Sequence, residues 1–412
     1  MGDRVSAQEL TYKLLSQEEK IQKGLSDDPI VSLVDSFLFN AVYVEASDIH
    51  LEQTKHDMRV RFRIDGVLYE QSSISLEQRL AVLSRLKVLA GLDIAQKRVP
   101  QDGKIRLKLN DKEIDVRVST FPSIYGEKIV LRILDGSQNF KTLESLGLDP
   151  SDLNKLNGLI RQPYGFILVT GPTGSGKTTS LYSILSTLNN SERNIITMED
   201  PVEYNLDGIV QSQVNPKAGF TFENGLRSIL RQDPDVVMVG EIRDKQTAQI
   251  AIEAALTGHL VFSTLHTNDA SSAVTRLIDM GIEPFLINAA LSGVLAQRLC
   301  RKLCSKCKCE VELKLEEKNI LNKISSHNIK NIFKPAGCKH CFNLGYKGRT
   351  GIFELLLVDD NIRNLIVNST DRNAIKNRAV MNGMNFLIQD AASKVKDGVI
   401  SLEELVRIVG EG

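Results

Sequence analysis

The sequence predicts an α/β protein: a mostly parallel, doubly wound sheet that carries a phosphate-binding loop, preceded by a smaller α+β domain. Three observations predict it. Short apolar runs at residues 166–170, 194–198, 236–239 and 260–264 alternate with helical patterns, which gives a parallel sheet with ligands at the strand C-terminal ends. The first run leads into Gly171-Pro-Thr-Gly-Ser-Gly-Lys-Thr178, and a helical pattern follows over residues 177–188. Ahead of these, several segments alternate apolar and polar residues with period two.

The elements follow in chain order. Residues 1–28 are polar and helical in pattern, an N-terminal extension without a core of its own. From Pro29 an apolar-periodic helix runs through Val34, Phe37, Leu38 and Val42. Residues 49–52, 58–64 and 67–69 read as strands, with Asp65-Gly66 as a hairpin turn. Residues 76–92 form an amphipathic helix, and 105–109, 114–118 and 128–134 are further strands. The expected α+β domain is thus 29–135, with a linker over 136–147 and the sheet domain over 148–299. A tetracysteine module at 300–345 and a helical subdomain at 346–412 complete the chain.

Composition narrows the class. A chain of 412 residues with 42% hydrophobic and 25% charged residues is an ordinary globular protein of two to four domains. A formal net charge of zero gives no electrostatic footprint for nucleic acid or membrane. No apolar run reaches the roughly 18 residues of a membrane span. The first ten residues lack the apolar core of a secretory signal, so a cytoplasmic location is expected.

The phosphate loop carries the chemistry. Glycines let backbone amides turn toward a phosphate, and the following helix N-terminus favours negative charge. Gly171, Pro172, Thr173, Gly174, Ser175, Gly176, Lys177, Thr178 and Thr179 are the candidate ATP ligands. Lys177 is expected to reach the β/γ-phosphates and Thr178 to hold Mg2+. Three polar clusters follow later strands: Met198-Glu-Asp-Pro-Val-Glu-Tyr204, Gly240-Glu-Ile-Arg-Asp244 and Thr257-Gly-His through Leu265-His266. On such a sheet the strand C-termini share one rim, so Glu199, Glu203, Glu241 and His266 should converge on the loop. Glu241 stands where an Asp is usual, so a metal contact there is expected through water. His266 is a candidate γ-phosphate sensor. His259 is open between a functional and a satisfied structural role.

Six cysteines include Cys304-x-x-Cys307 and Cys338-x-x-Cys341, the pattern of a four-cysteine zinc site. Such knuckles serve either as a nucleic-acid ribbon or as a staple for a small subdomain. The staple is preferred, since no aromatic-rich basic face accompanies them. His340 is an alternative ligand, although four thiolates already close a tetrahedral site. Cys300 and Cys309 read as a buried small residue and an exposed thiol.

With these motifs in view, the chain resembles the secretion ATPase superfamily, in its type II secretion and type IV pilus assembly branch. The resemblance rests on the phosphate loop, the acidic box at 199–204 and the run from Arg231-Gln-Asp-Pro-Asp235 to Gly240-Glu-Ile-Arg-Asp244. It rests also on the Gly-His to His-Thr-Asn box, Ala46-Ser-Asp-Ile-His50, Arg63-Ile-Asp-Gly66, Gln101-Asp-Gly103 and the tetracysteine insert. It covers about residues 29–412. It implies a RecA-like ATPase domain behind a PAS-like N-terminal domain. Glu203 would be the acid that activates water, with Glu199 as the fallback, Glu241 the second acid and His266 the phosphate sensor. Arg117 and Arg132 match arginines that the small domain brings onto the nucleotide. Arg227 and Arg231 match a second pair on the ATPase domain, spaced for one helical face.

The resemblance also implies a homo-hexamer that uses ATP, Mg2+ and Zn2+. Its partners would be an inner-membrane platform protein and a docking protein at the cytoplasmic face, with peripheral membrane association through them and no nucleic acid. Family members usually carry a further N-terminal domain for the membrane-bound partner; about 28 residues stand before the matching region here. Two rival readings share the nucleotide loop. A conjugation or DNA-uptake ring ATPase gives no reason for the cysteine insert. A nucleotide-gated structural or nucleic-acid-binding protein would bind without turnover.

Overall fold

The computed structural model describes residues 28–109, 112–134, 141–324, 329–368 and 371–410. Residues 1–27 of the N-terminal extension and 136–140 of the expected linker lie outside the described residues. The chain forms two compact units, divided between Asn139 and Phe140.

In the first unit, α1 (Pro29–Tyr43) starts where the Asp28 carboxylate accepts the amides of Ile30 and Val31, with Pro29 in the first turn. Strands β1 (Asp48–Gln53), β2 (Met58–Ile64) and β3 (Val67–Ile74) form a meander. Asp65 and Gly66 both take positive φ, 49° and 89°, as the hairpin turn demands. Helix α2 (Leu76–Leu89) is capped by Ser75 and stops short of the expected 92, because Gly91 turns left-handed. Strands β4 (Gln101–Leu109), β5 (Lys112–Ser123) and β6 (Gly126–Leu134) complete an antiparallel sheet of order β3-β2-β1-β6-β5-β4. Along β2, Met58, Val60, Phe62 and Ile64 are buried while arginines alternate with them, the period expected of a one-sided sheet.

The second unit contains α3 (Pro150–Ile160), β7 (Gly165–Thr170), α4 (Lys177–Leu188), β8 (Ile195–Glu199), β9 (Val210–Gln213) and α5 (Phe222–Ile229). It continues with β10 (Val236–Val239), α6 (Lys245–Leu256), β11 (Leu260–Leu265), α7 (Ala270–Asp279), α8 (Pro284–Ala290) and β12 (Leu291–Leu303). Next come β13 (Cys309–Glu312), α9 (Leu315–Ile324), β14 (Asn331–Lys334) and β15 (Tyr346–Leu357). Helices α10 (Asp360–Asn368), α11 (Arg372–Met381), α12 (Leu387–Lys396) and α13 (Leu402–Gly410) close the chain.

The large sheet has the order β15-β12-β7-β11-β10-β8-β9 and is parallel except for β15 against β12. Its two faces feed two cores. Phe166 and Leu168 of β7 enter one, and Ile167 and Val169 the other.

The four apolar runs are the four central strands. The edge pair differs from expectation. Residues 346–357, placed by sequence at the head of a helical subdomain, form β15, and the boundary expected at 299/300 falls inside β12. Residues 350–356 are buried on both faces, so they carry no two-residue alternation to mark a strand.

Candidate nucleotide site and cysteine cluster

β7 is buried along its whole length and delivers the chain to Gly171. A Cβ on Gly171 would stand 2.4 Å from the Gln297 carbonyl oxygen, and Gly176 holds φ at 89°, so both positions require glycine. Gly176 is also the cap position of α4 and offers no side chain to the first amides of that helix. Those amides are the anion-binding groups of a helix start. Lys177 lies across the loop, with Nζ donating to the Gly171 and Pro172 carbonyl oxygens at 2.8 and 3.1 Å. Burial lowers its pKa, and the charge of Glu241 opposes that shift. Pro172, Thr173, Gly174 and Thr179 differ little from one another in setting, at or near the surface, while Ser175 is buried and Gly176 is half-buried.

Parallel pairing puts the ends of β8, β10 and β11 on the rim reached by β7. Glu241, after β10, binds Arg243 at 2.5 Å and stands 3.6 Å from Nε2 of His266, after β11. Burial lowers the His266 pKa, as do Lys177 and Arg243, while Glu241 raises it. Lys177, Glu241 and His266 therefore share one electrostatic neighbourhood.

Glu199 and Glu203 part company. Glu199 ends β8 and is 3% exposed. One carboxylate oxygen accepts the Tyr182 hydroxyl; the other accepts the Thr197 hydroxyl at 2.6 Å and the Gln211 amide at 3.1 Å. Glu203 is exposed, and its carboxylate accepts no hydrogen bond among the described residues. Its backbone amide donates to the Tyr182 oxygen at 3.4 Å. The Tyr204 ring meets Tyr182 edge-on at 4.6 Å. Burial and the charges of Glu199 and Glu203 push the Tyr204 hydroxyl up to about 12, and burial with Glu199 raises Tyr182 as well.

Two buried residues at this site escaped the sequence reading. Gln297 of β12 donates its amide to the Ser175 carbonyl at 2.8 Å, bracing the loop from the neighbouring strand. Its signal was a lone amide inside an apolar run. Tyr182 gave no signal, since an aromatic residue in an amphipathic helix reads as core.

The arginines fall in three places. Arg117 and Arg132 belong to the first unit, where they face each other on β5 and β6 and line an open cavity of about 470 Å³ with Asp102 and Lys104. Arg132 Nε donates to Asp48 at 3.0 Å. Arg227 pairs with Glu223 at 2.5 Å. Helix α5 ends at Ile229, and Arg231, in the turn that follows, reaches back to donate to the Arg227 carbonyl at 2.8 Å and to the Ser228 hydroxyl at 3.1 Å. His259 lies before β11, at the strand end opposite His266, with Nδ1 2.9 Å from the Ala254 carbonyl. Its hydrogen bond and its place away from the phosphate-loop rim fit the structural alternative.

The four cysteine sulfurs of Cys304, Cys307, Cys338 and Cys341 lie within 4.8 Å of one another. Neighbouring pairs stand at 3.9, 3.7 and 3.8 Å. A regular tetrahedron with Zn–S bonds of about 2.3 Å has edges of about 3.8 Å, so the donor set fits zinc. The amides of Cys338 and Gly345 point at the Cys341 sulfur, at 3.2 and 3.3 Å, as thiolate ligands require. His340 is exposed and outside the cluster. Cys300 is buried, which pushes its thiol up to about 12, and Cys309 is exposed.

The sequence matches the family model of type II/IV secretion system proteins over residues 23–407. It is 50% identical over 397 residues to the type II secretion system ATPase E of Vibrio cholerae, covering 96% of this chain and 78% of that one. It is 46% identical over 413 residues to the type IV pilus assembly ATPase PilB of Myxococcus xanthus, covering 98% and 72%. Among solved structures, the ATPase DotB of Legionella pneumophila shares the fold, with a TM-score of 0.67 at 22% identity over 92% of this chain and 96% of that one. The pilus retraction motor PilT, solved with ADP, aligns at a TM-score of 0.58 and 26% identity over 90% and 95%.

Proposed function

Because this chain belongs to the type II/IV secretion system protein family, we propose that it hydrolyses ATP to power assembly of a pseudopilus or pilus. The observation that carries this reading is the meeting of Lys177, Glu241 and His266 beside a helix start whose amides have no side-chain cap. On ATP binding, Lys177 exchanges the loop carbonyls for the β/γ-phosphates, and His266 senses the γ-phosphate. The Thr178 hydroxyl and, through water, Glu241 are the hard oxygen donors for Mg2+, which neutralises phosphate charge when bound.

Glu203 serves as the acceptor of the water proton. The water oxygen bonds to the γ-phosphorus as the bond to the β–γ bridging oxygen breaks. ADP leaves with that electron pair, and the proton passes to Glu203. Its exposure supports this role; the three donors already on Glu199 argue for a structural one there. Arg117 and Arg132 are assigned as cationic partners of the nucleotide phosphates, and Arg227 and Arg231 as a second cationic pair. Zn2+ on the four cysteines staples its module. The working form is a homo-hexamer at the cytoplasmic face of the inner membrane, bound to a platform protein and a docking protein.

Lys177→Ala tests the core of this reading. Turnover should fall by about a hundredfold or more with the melting curve unchanged, and wild-type turnover would sink it. Native mass measurement with ATP should give six copies. Deletion of the gene separates the two machines: loss of surface pili marks pilus extension, and cargo stranded in the periplasm behind intact pili marks type II secretion.

A further inference from the structure

We propose that Tyr182 is a positioning residue for hydrolysis: its hydroxyl fixes the loop at 200–204, and with it Glu203, to the helix that begins at the phosphate loop. The proposal rests on the assignment of Glu203 above and adds a residue to it.

Tyr182 stands on α4, five residues beyond Lys177, so a rigid helix of about 7.5 Å joins it to the phosphate contacts. Its ring is 1% exposed, but its oxygen meets three polar partners. The hydroxyl donates its single proton to Glu199 and accepts the Glu203 amide and the Gln211 side-chain amide, each at 3.4 Å. A phenol has one donor and two lone pairs, so its capacity is filled. Glu199 makes this arrangement directional. Because a buried carboxylate claims the proton, the lone pairs must face the amides of Glu203 and Gln211. Thr197 and Gln211 in turn hold Glu199 still. The chain of contacts runs from Lys177 and Thr178 along α4 to Tyr182, and from its oxygen to the backbone of Glu203. It sets the register between the group that binds phosphate and the group that takes the proton.

Tyr182→Phe isolates the hydroxyl, since the ring can keep its edge contact with Tyr204. Single-turnover hydrolysis, affinity for a non-hydrolysable ATP analogue and melting are measured on the full chain for wild type, Y182F, E203Q and the double variant. Y182F should lower the rate about tenfold while analogue affinity stays within about twofold. In the E203Q background, Y182F should cost nothing further, because its effect runs through Glu203. A Y182F rate within twofold of wild type overturns the proposal. So does an equal loss in both backgrounds, or a joint fall of rate, affinity and melting temperature, which marks a merely structural role. An E203Q rate equal to wild type removes the Glu203 assignment and this proposal together, and leaves the Lys177 test untouched.

Discussion

Two acids four residues apart, Glu199 and Glu203, end in opposite surroundings, and two of the three contacts that decide it come from residues distant in sequence. Tyr182 and Gln211, 17 residues before and 12 after Glu199, supply the donors that occupy it. From residue type alone the acidic box is three carboxylates after a strand, and only the family resemblance ranks Glu203 above Glu199, whereas Lys177 is legible from its motif alone. The same contest of burial and donors governs Glu52 in the first unit. Burial opposes its ionisation, but hydrogen bonds from Lys128 at 2.7 Å and Arg61 at 2.6 Å outweigh it and hold the carboxyl at about 2, from an ordinary 4.5. A depressed pKa adds stability that is complete above the ordinary value and is lost as pH falls toward 2. The thermal midpoint should therefore drop between pH 4.5 and 2 in wild type. In Glu52→Gln that slope should flatten, with a lower midpoint at neutral pH. An unchanged slope would show that the pair contributes no more than an exposed one.

At the scale of elements, legibility followed periodicity. The central strands β7, β8, β10 and β11 are apolar runs bounded by polar turns, and β2 alternates cleanly, so all were readable. β12 and β15 were not, since an edge pair covered on both faces resembles neither template, and a Glu at position 354 interrupts the apolar run. The brace on the phosphate loop is hidden with them, because Gln297 matters only once β12 lies beside β7. Replacing Gln297 by Ala leaves the buried Ser175 carbonyl without its donor, a loss of about 1–3 kcal/mol. The variant should bind a fluorescent ATP analogue on the order of tenfold more weakly by titration. Undiminished affinity would mean that the close packing at Gly171 fixes the loop by itself.

At the scale of the whole molecule, the cysteine module does not stand alone. Leu321, Ile329 and Ile332 from its insertion share a core with Cys300 of β12 and with Ala391, Val395, Leu405 and Ile408 of α12 and α13. From sequence the module is expected to be a subdomain that needs a staple in place of a core. Its apolar residues are visible in the sequence, but their partners in the last two helices, far along the chain, are not. Metal analysis should find one zinc per chain. Stripping it with a chelator should lower the melting temperature and loosen α12 and α13 along with the module, as seen by hydrogen exchange. A metal-free chain that melts like the original would refute the site. The module's endpoints carry a further consequence. Leu303 and Tyr346 are ladder partners, so the chain leaves the large sheet and returns to it at neighbouring positions. Such an insert can be gained or discarded in a lineage by editing a single hairpin, with no strand rerouted. Topology leaves that exchange open; the shared core restrains it. A descendant that sheds the module inherits a bare greasy seat on its last two helices, and must repaint it with polar side chains to stay in solution.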